Sequence, residues 1–173
     1  MKFQNNLWES SGFTHILLGK RTDHISNPSK DSFIKNLIYY GDPPYPFIVT
    51  YKHLLEDLDG DKLKDNERTR LLQNIIKKTV LKKGTILLPI NNSKYHFFDA
   101  VLEIKDRSDI KRIIIFGLDA ADIILDTHLE GYRPYPYKGI KCLILPSLEE
   151  MLPDNKTKKK IAWEFLKNIS KDK

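Results

Sequence analysis

The chain has 173 residues, 40% hydrophobic and 30% charged, with a formal net charge of +6. This length predicts one compact domain with a sizeable core. No apolar run is long enough to span a bilayer, and Met1 to Asn6 lack the apolar stretch of a secretory signal. A single cysteine, Cys142, excludes an internal disulfide framework and predicts a reduced, cytoplasmic setting.

The first 24 residues do not join the core pattern, and Ser26 to Asp31 read as a turn or linker. Residues 25–173 are expected to form a single domain. Phe33, Ile34, Leu37 and Ile38 recur at helical spacing and predict a short helix, stopped by the prolines after Gly41. Phe47 to Tyr51 is the first core strand. The loop from Glu56 to Asp61 leads to a helix over 64–81, whose apolar stripe includes Leu71, Leu72, Ile75, Ile76 and Val80. Thr85 to Ile90 is the second strand, and Phe97 to Ile104 suggest another helix. Ile113 to Phe116 form the third strand, Gly117 a turn, and 119–126 a helix. Lys141 to Leu145 are the fourth strand, and a last helix runs over 156–169. Strands apolar throughout imply burial on both faces. Their alternation with helices implies a parallel sheet in an α/β/α sandwich, here of four strands.

Several motifs that could carry chemistry fail on spacing. Asp57 to Asp61 invite a calcium-loop reading. Counted from Asp57, however, glycine falls fourth and the twelfth residue is Arg68, so a solvated turn is the better account. Gly117 to Ala121 have one glycine and no lysine, which meets neither phosphate-binding signature. His15, His24, His53, His96 and His128 lack metal-ligand spacing. Cys142, inside a strand, reads as a small core residue. No cofactor or metal is implied. The C-terminal lysines from Lys156 onward read first as a solvated helix face.

Two segments are candidate binding surfaces. Trp8, Phe13, Ile16, Leu17 and Leu18 crowd the N-terminal segment, as partner anchors do; packing on the chain's own core is the competing account. Tyr132, Arg133, Tyr135 and Lys138 lie in a Tyr/Pro loop. There aromatics could stack bases and cations touch phosphate, while a rigid strand-entry turn is the plainer reading. Trp163 lies beside a helix face that needs filling and is expected in the core.

The order of strand, Gly117, Ala120, helix, loop and then Leu145-Pro146-Ser147 resembles the C-terminal half of the uracil-DNA glycosylase superfamily. There the last strand ends in His-Pro-Ser. In this chain Leu145 holds the His position, and a leucine cannot hydrogen-bond a uracil carbonyl. Nor does the stretch Thr50 to Glu56 carry the Gly-x-acid-Pro pattern that positions water in those enzymes. The chain also resembles a non-catalytic relative of that fold, the psi subunit of bacterial DNA polymerase III holoenzyme. Leu7 to Leu18 are similar to the psi segment that tethers it to the clamp loader. Gly12, Phe13 and Thr14 match in kind, and Ile16 stands where the family has tryptophan. Leu145 to Trp163 resemble psi's Ser-Pro turn, Asn-Pro break and Leu-Trp helix. The resemblance implies a uracil-DNA glycosylase-like fold and an adaptor without an active site. It implies clamp-loader or other replication proteins as partners, with Trp8, Phe13, Thr14 and Ile16 as their contact residues. The alternatives are a divergent glycosylase and a nucleic-acid-binding module.

Overall fold

A computed structural model describes residues 37–90, 97–105 and 108–169. They form a mixed α/β domain around one six-stranded sheet. Its strands are β1 (Ile38–Tyr40), β2 (Phe47–Tyr51), β5 (Thr85–Leu87), β6 (Arg112–Phe116), β7 (Pro134–Tyr137) and β8 (Ile140–Leu145). The order is β1-β5-β2-β6-β8-β7. The four strands read as continuous apolar runs, β5, β2, β6 and β8, are its parallel centre. The expectation of four strands is corrected to six, because β1 and β7 add an antiparallel strand at each edge.

Both edge strands break a pattern expected from sequence. Residues 38–40 pair with 85–87 as a strand instead of continuing a helix; residues 33–36 of that expected helix lie outside the described residues. The Tyr/Pro loop contains β7, a regular ladder partner of β8. The Ile144 N–H donates to the Arg133 carbonyl at 3.3 Å. Ladder bonds alternate along an antiparallel pair. Pro134 and Pro136, opposite Leu143 and Lys141, therefore occupy positions whose nitrogens face away from β8. Proline costs no ladder bond there.

Side chains alternate between the two faces of the sheet. Val49, Tyr51, Ile114, Phe116, Leu143 and Leu145 share one buried cluster with Leu72, Ile75 and Ile76 of α1 (Glu67–Lys78) and Ala162 and Leu166 of α4 (Lys156–Ile169). On the other face Ile48, Ile86, Ile113, Ile115 and Ile144 are equally buried. There α3 (Leu118–Leu125) packs against β6 and β8. Phe98 of α2 (Phe97–Lys105) meets Tyr137 of β7, with ring centroids 4.3 Å apart. Each buried isoleucine or leucine contributes roughly 1.5–3 kcal/mol relative to exposure.

Local signals fix where α1 begins. The Asn66 side chain accepts from the Thr69 N–H at 2.9 Å, and the Thr69 hydroxyl accepts from the Asn66 N–H at 3.1 Å. This reciprocal cap satisfies two orphan donors. The helix ends at Lys78, and a 3-10 turn, Val80–Lys83, carries the chain to β5. A small hairpin, β3 (Leu58–Asp59) with β4 (Lys62–Leu63), turns at Gly60 and precedes α1.

Candidate functional site

Open α/β sheets bind ligands at the carboxyl ends of the strands, where the strand order reverses. Here that switch lies between β2 and β6. Lys52, just after β2, spans it to Asp119 at the start of α3, 3.1 Å away. Gly117, at φ 103, makes the turn from β6 into α3; a Cβ there would lie 2.6 Å from the Asp119 carboxylate and 3.2 Å from Ser147 Cβ. Leu145, at the end of β8, is fully buried. The Ser147 hydroxyl accepts from the Glu150 N–H at 3.0 Å, while Glu150 accepts from the Ser147 N–H at 2.8 Å. The Pro146-Ser147 turn thus spends its polar groups on capping itself.

A further acid, Asp57, lies in the loop after β2, and it is buried rather than in the expected solvated turn. Its carboxylate accepts from the Tyr51 hydroxyl at 2.7 Å, Asn66 Nδ2 at 2.8 Å, and Arg68 Nη2 and Nε at 2.8 and 3.0 Å. Burial pushes the carboxyl pKa up, but the hydrogen bonds from Arg68, Tyr51 and Asn66 outweigh it and hold the group below the ordinary carboxylate range. The Tyr51 phenol is pushed up, first by burial and then by Asp57. Arg68 also reaches Glu149 at 3.4 Å, tying the loop after β2 to the turn after β8. A metal-loop count alone misses this, since the partner of Asp57 is an arginine eleven positions along the chain.

The residues expected to touch nucleic acid are split by the fold. Tyr132 is turned toward α4: its hydroxyl donates to Glu150, and Lys158 Nζ lies 2.9 Å from that hydroxyl and 4.6 Å from the ring centroid. Tyr135 sits on β7 opposite Cys142. Arg133 and Lys138 are exposed at the two ends of β7. Lys138 Nζ lies 5.6 Å from the Tyr137 and Phe98 ring centroids. Arg133 and Lys138, five residues apart on an extended strand, stand roughly 17 Å from each other, so the fold does not gather the four into one patch. Trp8, Phe13, Thr14 and Ile16 lie outside the described residues. Burial raises the Cys142 thiol to about 12, which keeps it protonated at neutral pH. Among the described residues, no cluster of three His, Cys, Asp or Glu side chains is placed to hold a metal, and no helix is long and apolar enough to cross a membrane.

A second surface was not foreseen from sequence. Trp163, expected in the core, is 36% exposed. It stands over a groove between α1 and α4 of about 240 Å³, floored by Leu71, Ile75, Met151, Ala162 and Leu166. A second hollow of about 280 Å³ shares Trp163, Leu166 and Lys78 and reaches the 3-10 turn. The clue present in sequence was the count of apolar positions on α4: Ile161, Ala162, Phe165, Leu166 and Ile169 already fill one face without Trp163. No protein-family model matches the chain, and no curated protein matches it.

Proposed function

We propose that this chain is a non-catalytic adaptor in DNA replication, resembling the psi subunit of DNA polymerase III holoenzyme, on a uracil-DNA glycosylase-like α/β/α scaffold. The observation that carries the reading is Leu145, fully buried at the position where the glycosylases place histidine. A buried aliphatic side chain offers no donor to a leaving base. The reading gains support from Asp57, whose four hydrogen bonds leave it a poor candidate for activating water. Residues 1–24 are the proposed tether, with Trp8, Phe13, Thr14 and Ile16 as contacts.

The test pairs two assays on the full chain. Purified clamp loader should bind it, and deletion of residues 1–24 should abolish that binding while leaving the thermal melt of the sheet domain in place. Uracil-containing single- and double-stranded DNA should release no base. Release that scales with protein and survives repurification overturns the adaptor reading in favour of a divergent glycosylase.

A further inference from the structure

The residues lining the α1/α4 groove repeat at helical spacing. Leu71, Ile75 and Lys78 stand at i, i+4 and i+7 on α1; Lys159, Trp163 and Leu166 stand at the same spacing on α4. Two such ridges leave a furrow whose shape matches a third helix. At about 1.5 Å per residue, the lining from Leu71 to Lys78 on α1 and from Lys159 to Leu166 on α4 provides a track of roughly 10–11 Å, about two helical turns.

Charge decides what kind of helix fits. The cations on the rim are Lys78 and Lys159 at the first hollow, with Lys82, Lys83 and Lys167 beside the second. Among the described residues, no aspartate or glutamate lines either hollow. Two acids beside them are already engaged: Asp154 takes Lys159 at 2.8 Å, and Glu164 lies 3.9 Å from Lys160. An apolar floor under a lysine rim complements a helix with large apolar side chains on one face and carboxylates on its shoulders. A second copy of this chain complements it poorly, since docking α4 on α4 sets lysine against lysine. A nucleic-acid backbone would leave Trp163 and the aliphatic floor without an apolar partner.

We propose that the α1/α4 groove is the docking site for an amphipathic helix with an acidic polar face, carried by a partner protein. The proposal rests on the groove and does not depend on the replication reading.

The experiment screens the full chain against displayed helical peptides. Their apolar stripe is fixed and the flanking positions carry acidic, neutral or basic residues. Acidic helices should be enriched, and their binding should weaken as salt rises. The best acidic peptide, synthesised, should lose about tenfold or more in affinity for Trp163→Ala, the expected behaviour of an anchoring tryptophan. Trp163 is partly exposed, so this variant should keep its fold by circular dichroism. As a second variant, Lys78→Glu with Lys82→Glu should turn the preference toward basic helices. Enrichment of basic helices, no enrichment, or acidic-peptide binding unchanged by both variants overturns the proposal. Self-association of the chain that disappears in Trp163→Ala also overturns it, by giving the groove to a second copy. Loss of clamp-loader binding in the tether deletion leaves peptide binding at this groove intact, so the two readings fail separately.

Discussion

At the residue scale, Asp57 commits its carboxylate to four hydrogen bonds. Replacing it by alanine removes the closer of the two carboxylates that Arg68 meets, leaving Glu149 at 3.4 Å, and unpairs the Tyr51 hydroxyl. Loss of one member of a buried pair costs about 3 kcal/mol or more; Arg68 is partly open to water, so we expect the lower end, read by denaturant melts of Asp57→Ala. The same site predicts acid sensitivity. Hydrogen bonds hold the folded-state pKa values of Asp57 and Glu150 below their ordinary values, despite burial pushing each upward. Their stabilisation is therefore complete above the unfolded pKa, about 4. It is lost as pH falls through the lower folded values. Melting temperature should drop across that acid window, and Asp57→Ala should flatten the drop. Thr50 predicts the opposite sign: its fully buried hydroxyl has no hydrogen-bond partner. Thr50→Val keeps the shape and removes an unsatisfied group, so it should stabilise by about 1 kcal/mol in the same melts.

At the element scale, the turn from β6 into α3 depends on Gly117. Its positive φ strains any side chain, and an added methyl group would also crowd Ser147 Cβ at 3.2 Å and push the Asp119 carboxylate aside. Gly117→Ala should cost more than about 1 kcal/mol, seen as a lowered melting temperature. This turn was legible in sequence because an apolar run, a glycine and a helical stripe follow one another. So were β2, β6 and β8, whose unbroken apolar residues reflect cover on both faces. The edge strands were not legible. Leu37 and Ile38 share helical spacing with Phe33 and Ile34, and pairing with β5 overrides that local pattern. The prolines of β7 argue against a strand until its edge position is known. Asp57 was misread because burial and a bond to Arg68 depend on the path of the chain, which spacing within a loop does not contain. Trp163 lies beside the apolar stripe of α4, and its exposure follows from how closely α1 approaches.

At the scale of the whole molecule, the tether proposed for residues 1–24 and the α/β domain are expected to contribute separably. Phe13→Ala with Ile16→Ala should weaken clamp-loader binding by about 2 kcal/mol or more if both are anchors, with the melting temperature unchanged. A large drop in stability at unchanged affinity would instead make those residues part of a packed core. The placement of the β7 prolines bears on how the chain behaves when crowded. Molecules with exposed sheet margins can fuse by annealing strand to strand, and continued fusion builds fibres. At this margin an incoming strand meets ring nitrogens at Pro134 and Pro136 where it needs amide protons, so growth stops at the first addition. Pro134→Thr with Pro136→Thr would restore those protons, turning a terminus of the sheet into a seed for polymerisation.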